Sequence, residues 1–123
     1  MTASTILLVD NVEIITEIVG EQLCENTEFG GYKVIKATTY EQAVEHIKCS
    51  QFDFLITGYS LDQKNVGTAL IDQCKQPSLL LSNDDIQYKA EAVGAGFINK
   101  NQTLLHRRIH DWIIRQPCTA KLN

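Results

Sequence analysis

Cysteine, proline and runs of basic charge are scarce in this chain, and each scarcity excludes something. The four cysteines, Cys24, Cys49, Cys74 and Cys118, are widely scattered and form no C-x-x-C pair. A zinc site needs closer ligand spacing, and a chain of 123 residues buries a core without disulfide staples, so reduced thiols in a cytoplasmic protein are expected. No run of Lys or Arg occurs, and the net charge is -4, which argues against nucleic acid or a membrane surface as the main partner. Long hydrophobic runs are missing as well. The first one, Ile6 to Val9, stops at Asp10 and is too short for a signal-peptide core or a bilayer span. There is no internal repeat, linker or low-complexity segment. The expectation is one domain over residues 1–123, with tails at 1–4 and 117–123.

What is present is ordinary for a globular protein, with 44% hydrophobic and 21% charged residues. Apolar runs alternate with helical patterns from end to end. Ile6 to Val9 reads as a strand covered on both faces. Ile14, Ile15, Ile18, Val19 and Leu23 recur at helical spacing until Gly30-Gly31. Tyr32 to Ala37 alternates, with Tyr32 and Val34 on one side and Ile35 and Ala37 on the other. Thr39-Tyr40-Glu41-Gln42 fits a capping box, which opens a helix with Ala43, Val44 and Ile47 inward.

The third strand is Phe54 to Thr57. A polar loop, Asp62 to Asn65, leads to a short helix from Gly67 to Lys75, ended by Pro77. Ser78 to Ser82 is the fourth strand, and Asn83 or Asp84 is expected to cap a helix from Asp85 to Val93. Gly96 to Asn99 is the fifth strand, and a last helix from Gln102 to Arg115 carries Leu105, Ile109, Trp112 and Ile113 as its apolar stripe, closed by Pro117. Five strand–helix units imply a doubly wound α/β fold with a parallel sheet. In such a sheet the binding crevice lies at the carboxyl ends of the strands. The residues placed there are Asp10, Asn11, Gly58, Ser82 and Lys100.

At those strand ends the chain resembles a response-regulator receiver domain of the two-component type. Ile6-Leu7-Leu8-Val9-Asp10-Asn11 is similar to the family's opening, where two acids normally follow the first strand. Asp53 to Leu61 resembles its third-strand motif, Ser82 matches the hydroxyl residue that ends strand four, and Phe97-Ile98-Asn99-Lys100 resembles the strand-five motif. The resemblance covers essentially the whole chain. It implies a flavodoxin-like five-stranded sheet in the order 2-1-3-4-5.

The resemblance also implies what the pocket lacks. In receivers the acids after strand one and an acceptor aspartate hold Mg²⁺, which prefers octahedral oxygen ligands, and the metal and lysine neutralise the transferring phosphoryl group. Here Gly58 stands at the acceptor position and Asn11 replaces the second acid, while Asp10, Ser82, Phe97 and Lys100 remain. With one carboxylate left, no cofactor is expected and Mg²⁺ binding is expected to be weak or absent. Asn101 replaces the proline that usually follows the lysine, and the third helix is about a turn shorter than usual. Thr57 should point away from the pocket, and Tyr59, Ser60 and Asp62 lack an adjacent base to activate them.

Several of these residues also have a purely structural reading. Lys100 can pair with Asp10 across the top of the sheet, Ser82 can organise the start of the following helix, and Phe97 can serve as partly buried packing. His106 and His110 lie one helical turn apart, a metal-compatible spacing, but no third ligand is evident and they are expected to be exposed. Trp112 suits core or rim packing, or an interface anchor.

The face formed by helix four, strand five and the last helix is the usual receiver contact surface. Here it would carry Tyr88, His106, His110 and Trp112. The expectation is therefore a degenerate, stand-alone receiver that is not an enzyme and works as a phosphorylation-independent interaction module. Its partner would be a protein in trans: a histidine kinase, another regulator, or a second copy. The alternatives are a phosphorylatable regulator with a substitute acceptor and a small-anion-binding module at the emptied pocket.

Overall fold

The computed structural model describes residues 4–25, 31–61 and 64–116. Gly30, Asp62, Gln63, Pro117, Cys118 and most of the expected tails lie outside the described residues.

The main sheet contains β1 (Thr5–Val9), β2 (Lys33–Ala37), β3 (Phe54–Gly58), β6 (Ser78–Ser82) and β7 (Gly96–Asn99), all parallel, in the spatial order β2-β1-β3-β6-β7. This is the expected 2-1-3-4-5 order, because β4 (Ser60–Leu61) and β5 (Lys64–Asn65) form a separate two-stranded antiparallel pair. That pair takes up part of the segment predicted to be a polar loop. Every residue of β3 and β6 is buried, as central strands covered on both faces require.

The helices are α1 (Gly20–Glu25), α2 (Tyr40–Cys49), α3 (Gly67–Asp72), α4 (Gln87–Ala92) and α5 (Leu105–Ile114). Side-chain alternation along the strands divides the interior into two layers. Ile6, Leu8, Phe54, Ile56, Leu79 and Leu81 pack against α1 and α5, whereas Leu7, Val9, Leu55 and Leu80 pack against α2, α3 and α4. Tyr32 and Val34 join the first layer and Ile35 and Ala37 the second, the alternation read from the sequence.

Four local details depart from the sequence reading. The first helix begins with a π-helical stretch, Ile15–Val19, whose wider turn shifts the buried face. Thr16, Val19 and Leu23 are buried, while Ile14 and Ile18, expected on the inner stripe, are 64% and 50% exposed. The capping box of α2 is formed only in part. Thr39 Oγ1 accepts from the Gln42 N–H at 3.1 Å, but Gln42 Oε1 accepts from the Thr38 N–H, one residue earlier than expected.

Neither Asn83 nor Asp84 caps α4. Its N-cap is Ile86, without a side-chain cap, and Ser82 Oγ instead accepts from the Asp84 N–H at 3.1 Å. Finally, α5 starts at Leu105, later than expected, because the exposed Leu104 adopts a left-handed conformation at φ 54. Among the described residues no helix is long and apolar enough to cross a membrane. Cys24, Cys49 and Cys74 are free thiols.

Candidate functional site

Parallel pairing aligns the strand ends into one crevice. Val9 pairs with Thr57, Gly58 with Leu81 and Ser82 with Asn99, so Asp10, Gly58, Ser82 and Lys100 arrive at the same edge. Backbone hydrogen bonds extend each strand a step further: the Asp10 N–H donates to Ala37 O, the Tyr59 N–H to Leu81 O and the Lys100 N–H to Ser82 O.

Inside the crevice, Asp10 is fully buried and its Oδ2 lies 2.8 Å from Lys100 Nζ, whose side chain is 12% exposed. Asp10 Oδ1 accepts from the Val12 N–H at 2.9 Å. Oδ2 faces the Lys100 ammonium as a close, buried charge pair. At that separation and an effective dielectric near 20, the attraction is about 6 kcal/mol before desolvation is subtracted.

The ion pair occupies the space of the missing side chain at position 58. A Cβ built on Gly58 would lie 2.9 Å from Asp10 Oδ2, 3.2 Å from its Cγ and 3.5 Å from Lys100 Nζ. Glycine is thus not followed by an empty cradle, because the carboxylate of Asp10 and the ammonium of Lys100 have closed over it. The backbone is equally constrained on its other side. A Cβ at Gly67, the first residue of α3, would come within 2.3 Å of Gly58 O, and the Gly67 N–H donates to Tyr59 O at 2.8 Å. The two glycines let the chain return across the end of β3 in direct contact with it.

This donor set does not fit Mg²⁺. The ion wants several oxygen ligands, but one carboxylate oxygen faces an ammonium group and Asn11 is exposed. No group of three or more His, Cys, Asp or Glu suited to a metal occurs among the described residues.

The neighbouring hydroxyls are already engaged. Thr57 Oγ1, buried, donates to Gly58 O at 2.9 Å, and the Tyr59 hydroxyl accepts from Lys89 Nζ at 2.6 Å. Phe97 is half-buried and packs into the α2–α3–α4 layer. Asn101, which stands where a proline was expected from the resemblance, donates its N–H to Asn99 Oδ1 at 2.8 Å. Asn99 Nδ2 in turn donates to Asn83 O at 3.3 Å. These bonds tie together the loops after β6 and β7.

The expected contact surface needs correction. Tyr88 is exposed, at 66%, but His106 and Trp112 are buried and His110 is half-buried. Trp112 belongs to the α1–α5 layer and meets Phe54 edge-on, with ring centroids 6.0 Å apart. His110 Nδ1 is 2.5 Å from the hydroxyl of Tyr32, whose phenol is pushed above its ordinary range by burial. The histidines therefore belong to the packed side of α5, the side that meets α1 and the start of β2.

The side of α5 that borders β7 carries Arg108, Asp111 and Arg115, which with Phe97, Asn99 and Gln102 line a cavity of about 440 Å³ along the strand. Sequence reasoning missed these residues, although spacings of three and four place Arg108, Asp111 and Arg115 on one polar face of the helix.

No protein-family model matches the sequence, and no curated protein matches it. Among solved structures, the chain is similar to a CheY-like receiver domain from Methanospirillum hungatei, with TM-score 0.80 and 19% identity over 98% of each chain. The signal receiver domain of the response regulator NarL from Mycobacterium tuberculosis gives TM-score 0.77 and 23% identity, again over 98% of each chain. The chemotaxis response regulator CheY4 of Vibrio cholerae gives 0.76 and 22%, covering 93% of this chain and 98% of that one. The chain thus has the receiver fold.

Proposed function

We propose that this chain is a degenerate receiver domain of two-component signalling, a cytoplasmic module without enzymatic activity that works by binding protein partners and does not accept phosphate by the usual route. One observation carries this reading: the Asp10–Lys100 ion pair lies where a side chain at position 58 would stand. A nucleophile is missing, the metal would have one carboxylate, and the lysine that would steady a phosphoryl group is already neutralised. The partner is a histidine kinase, another regulator or a second copy. It docks at the edge made by α4, β7 and α5, through Tyr88, Asn99, Arg108 and Arg115.

The experiment is exposure to a small phosphodonor with Mg²⁺, read by intact mass. The native chain should gain no phosphoryl group, and the double variant Asn11→Asp, Gly58→Asp should gain one. A mass increase on the native chain would mean that a substitute acceptor operates. Micromolar Mg²⁺ binding by the native chain would also overturn this account of the pocket.

A second reading has one observation in its favour. A cavity of about 370 Å³ beside the ion pair is lined by Tyr59, Ser82, Asp84, Lys89 and Lys100, among others, which suits a small oxyanion. Titration with inorganic phosphate, followed by chemical shifts of the Ser82 and Lys100 amides, separates the two readings. Saturable shifts would favour the anion module, and their absence favours the interaction module.

A further inference from the structure

Helix α4 is poorly secured by its own sequence. It has six residues, and isolated helices of that length are unstable in water. Its N-terminus has no side-chain cap. Its C-terminal end is better held: Gly94, at φ 73, allows a turn in which the Gly94 and Ala95 N–H groups donate back to Glu91 O and Ala90 O. Burial is confined to Ala90 and, just before the helix, Ile86.

Against that background Lys89 stands out. Its Nζ donates to the Tyr59 hydroxyl at 2.6 Å and lies 4.8 Å from the centroid of the Tyr59 ring and 5.9 Å from that of Tyr88, within cation–π range. Among the described residues this is the only side-chain hydrogen bond from α4 to another element; the other, Gln87 to Glu91, stays within the helix. Tyr59 directly follows Gly58, so the contact joins the end of β3 to the helix that presents Tyr88.

We infer that Lys89 and Tyr59 form a latch that fixes α4 over the crevice and sets the position of Tyr88, with Lys89 as the positioning residue. Only the consequence for Tyr88 rests on the docking face proposed above; the latch itself can be tested without a partner. The Tyr59 hydroxyl also holds the Lys89 ammonium above its ordinary pKa, so the charged form of the latch persists at neutral and mildly alkaline pH.

The test is amide hydrogen exchange followed by mass spectrometry on peptides covering 87–92, with α2 as an internal control. Lys89→Met removes the charge and keeps the stem, and Tyr59→Phe removes the acceptor and keeps the ring. Each should speed exchange in α4 by roughly threefold to tenfold, the double variant should add little to either, and α2 should be unchanged. Lys89→Arg, which retains charge and donors, should restore protection. Unchanged exchange in both single variants would overturn the latch, as would an equal rise in α2, since that marks global destabilisation. Undiminished partner capture after substitution of the α4–β7–α5 edge, with the latch intact, would instead remove the docking reading alone.

Discussion

Around Gly58 the crevice is sealed: Asp10 is fully buried, Lys100 is nearly so, and α3 returns against the strand with backbone touching backbone. Two strands away the construction is the opposite. All four residues of β7 are half-exposed, the strand has no further strand on its outer side among the described residues, and the adjoining face of α5 offers two arginines and an aspartate to solvent. In a sheet of this kind, chemistry needs an open crevice at the strand ends and recognition needs an accessible surface. Here Asp10 and Lys100 fill the space beside Gly58, while the edge strand borders a face of mixed charge. The proposed docking at the edge rests on that difference.

The comparison can be broken most forcefully at Lys100. Lys100→Met leaves the Asp10 carboxylate buried without a counter-charge and should cost about 3–5 kcal/mol, read as a lowered urea midpoint. A loss below about 1 kcal/mol would mean that the pair is not a structural element of the crevice. Next in size is Gly58→Ala. Its Cβ forces the Asp10 carboxylate aside, with an expected loss of about 1–3 kcal/mol. The same substitution should cost clearly less in an Asp10→Ala background, because the clashing group is gone, and equal costs in both backgrounds would contradict the crowding described above.

The edge should behave differently. Arg108→Glu combined with Arg115→Glu should change stability by only about 0.5 kcal/mol, as exposed substitutions do, while reducing retention of a partner captured by the native chain. Undiminished retention would move the docking surface elsewhere.

The smallest effect concerns pH. Burial raises the folded-state pKa of Tyr32 above 10.0, so on alkaline titration the unfolded chain loses that proton first. The contribution of Tyr32 is therefore fully present below pH 10.0 and declines above it. Lys89, raised above 10.5 by its bond to Tyr59, acts in the same direction: its contribution is present at lower pH and lost as pH rises through the folded value. Urea midpoints should fall on alkaline titration, and Tyr32→Phe should reduce the slope.

Much of the fold was legible because central parallel strands are short apolar runs and because turn residues punctuate them. Ile6 to Val9 and Ser78 to Ser82 needed no tertiary information to be recognised. The crevice was legible for a related reason: once the strands are placed, topology dictates which residues meet at their ends, and Asp10 with Lys100 followed from charge alone.

What escaped were features set by three-dimensional crowding or by helix rotation. Ile14 and Ile18 have the spacing of an inner stripe, but the π-helical turn faces them outward. Trp112 already stood on the apolar stripe of α5, whereas His106 and His110 look like surface residues on a helix flanked by arginines. Their burial depends on how α5 rolls against α1 and Tyr32, a rotation that periodicity leaves free within about one residue. The Tyr59–Lys89 contact joins residues thirty positions apart and has no sequence signature.

The nearness of the Asp10 carboxylate to position 58 has a consequence for how this chain can change over time. A single substitution placing an acid at 58 would set a second carboxylate against the first in a buried space, with one lysine to balance both and no second acid at position 11. That substitution is therefore unfavourable alone, and it becomes tolerable only after Asp10 has been turned aside or Asn11 has been changed. The order of substitutions therefore matters at this position: the tolerance of a side chain at 58 is set by what stands at 10 and 11.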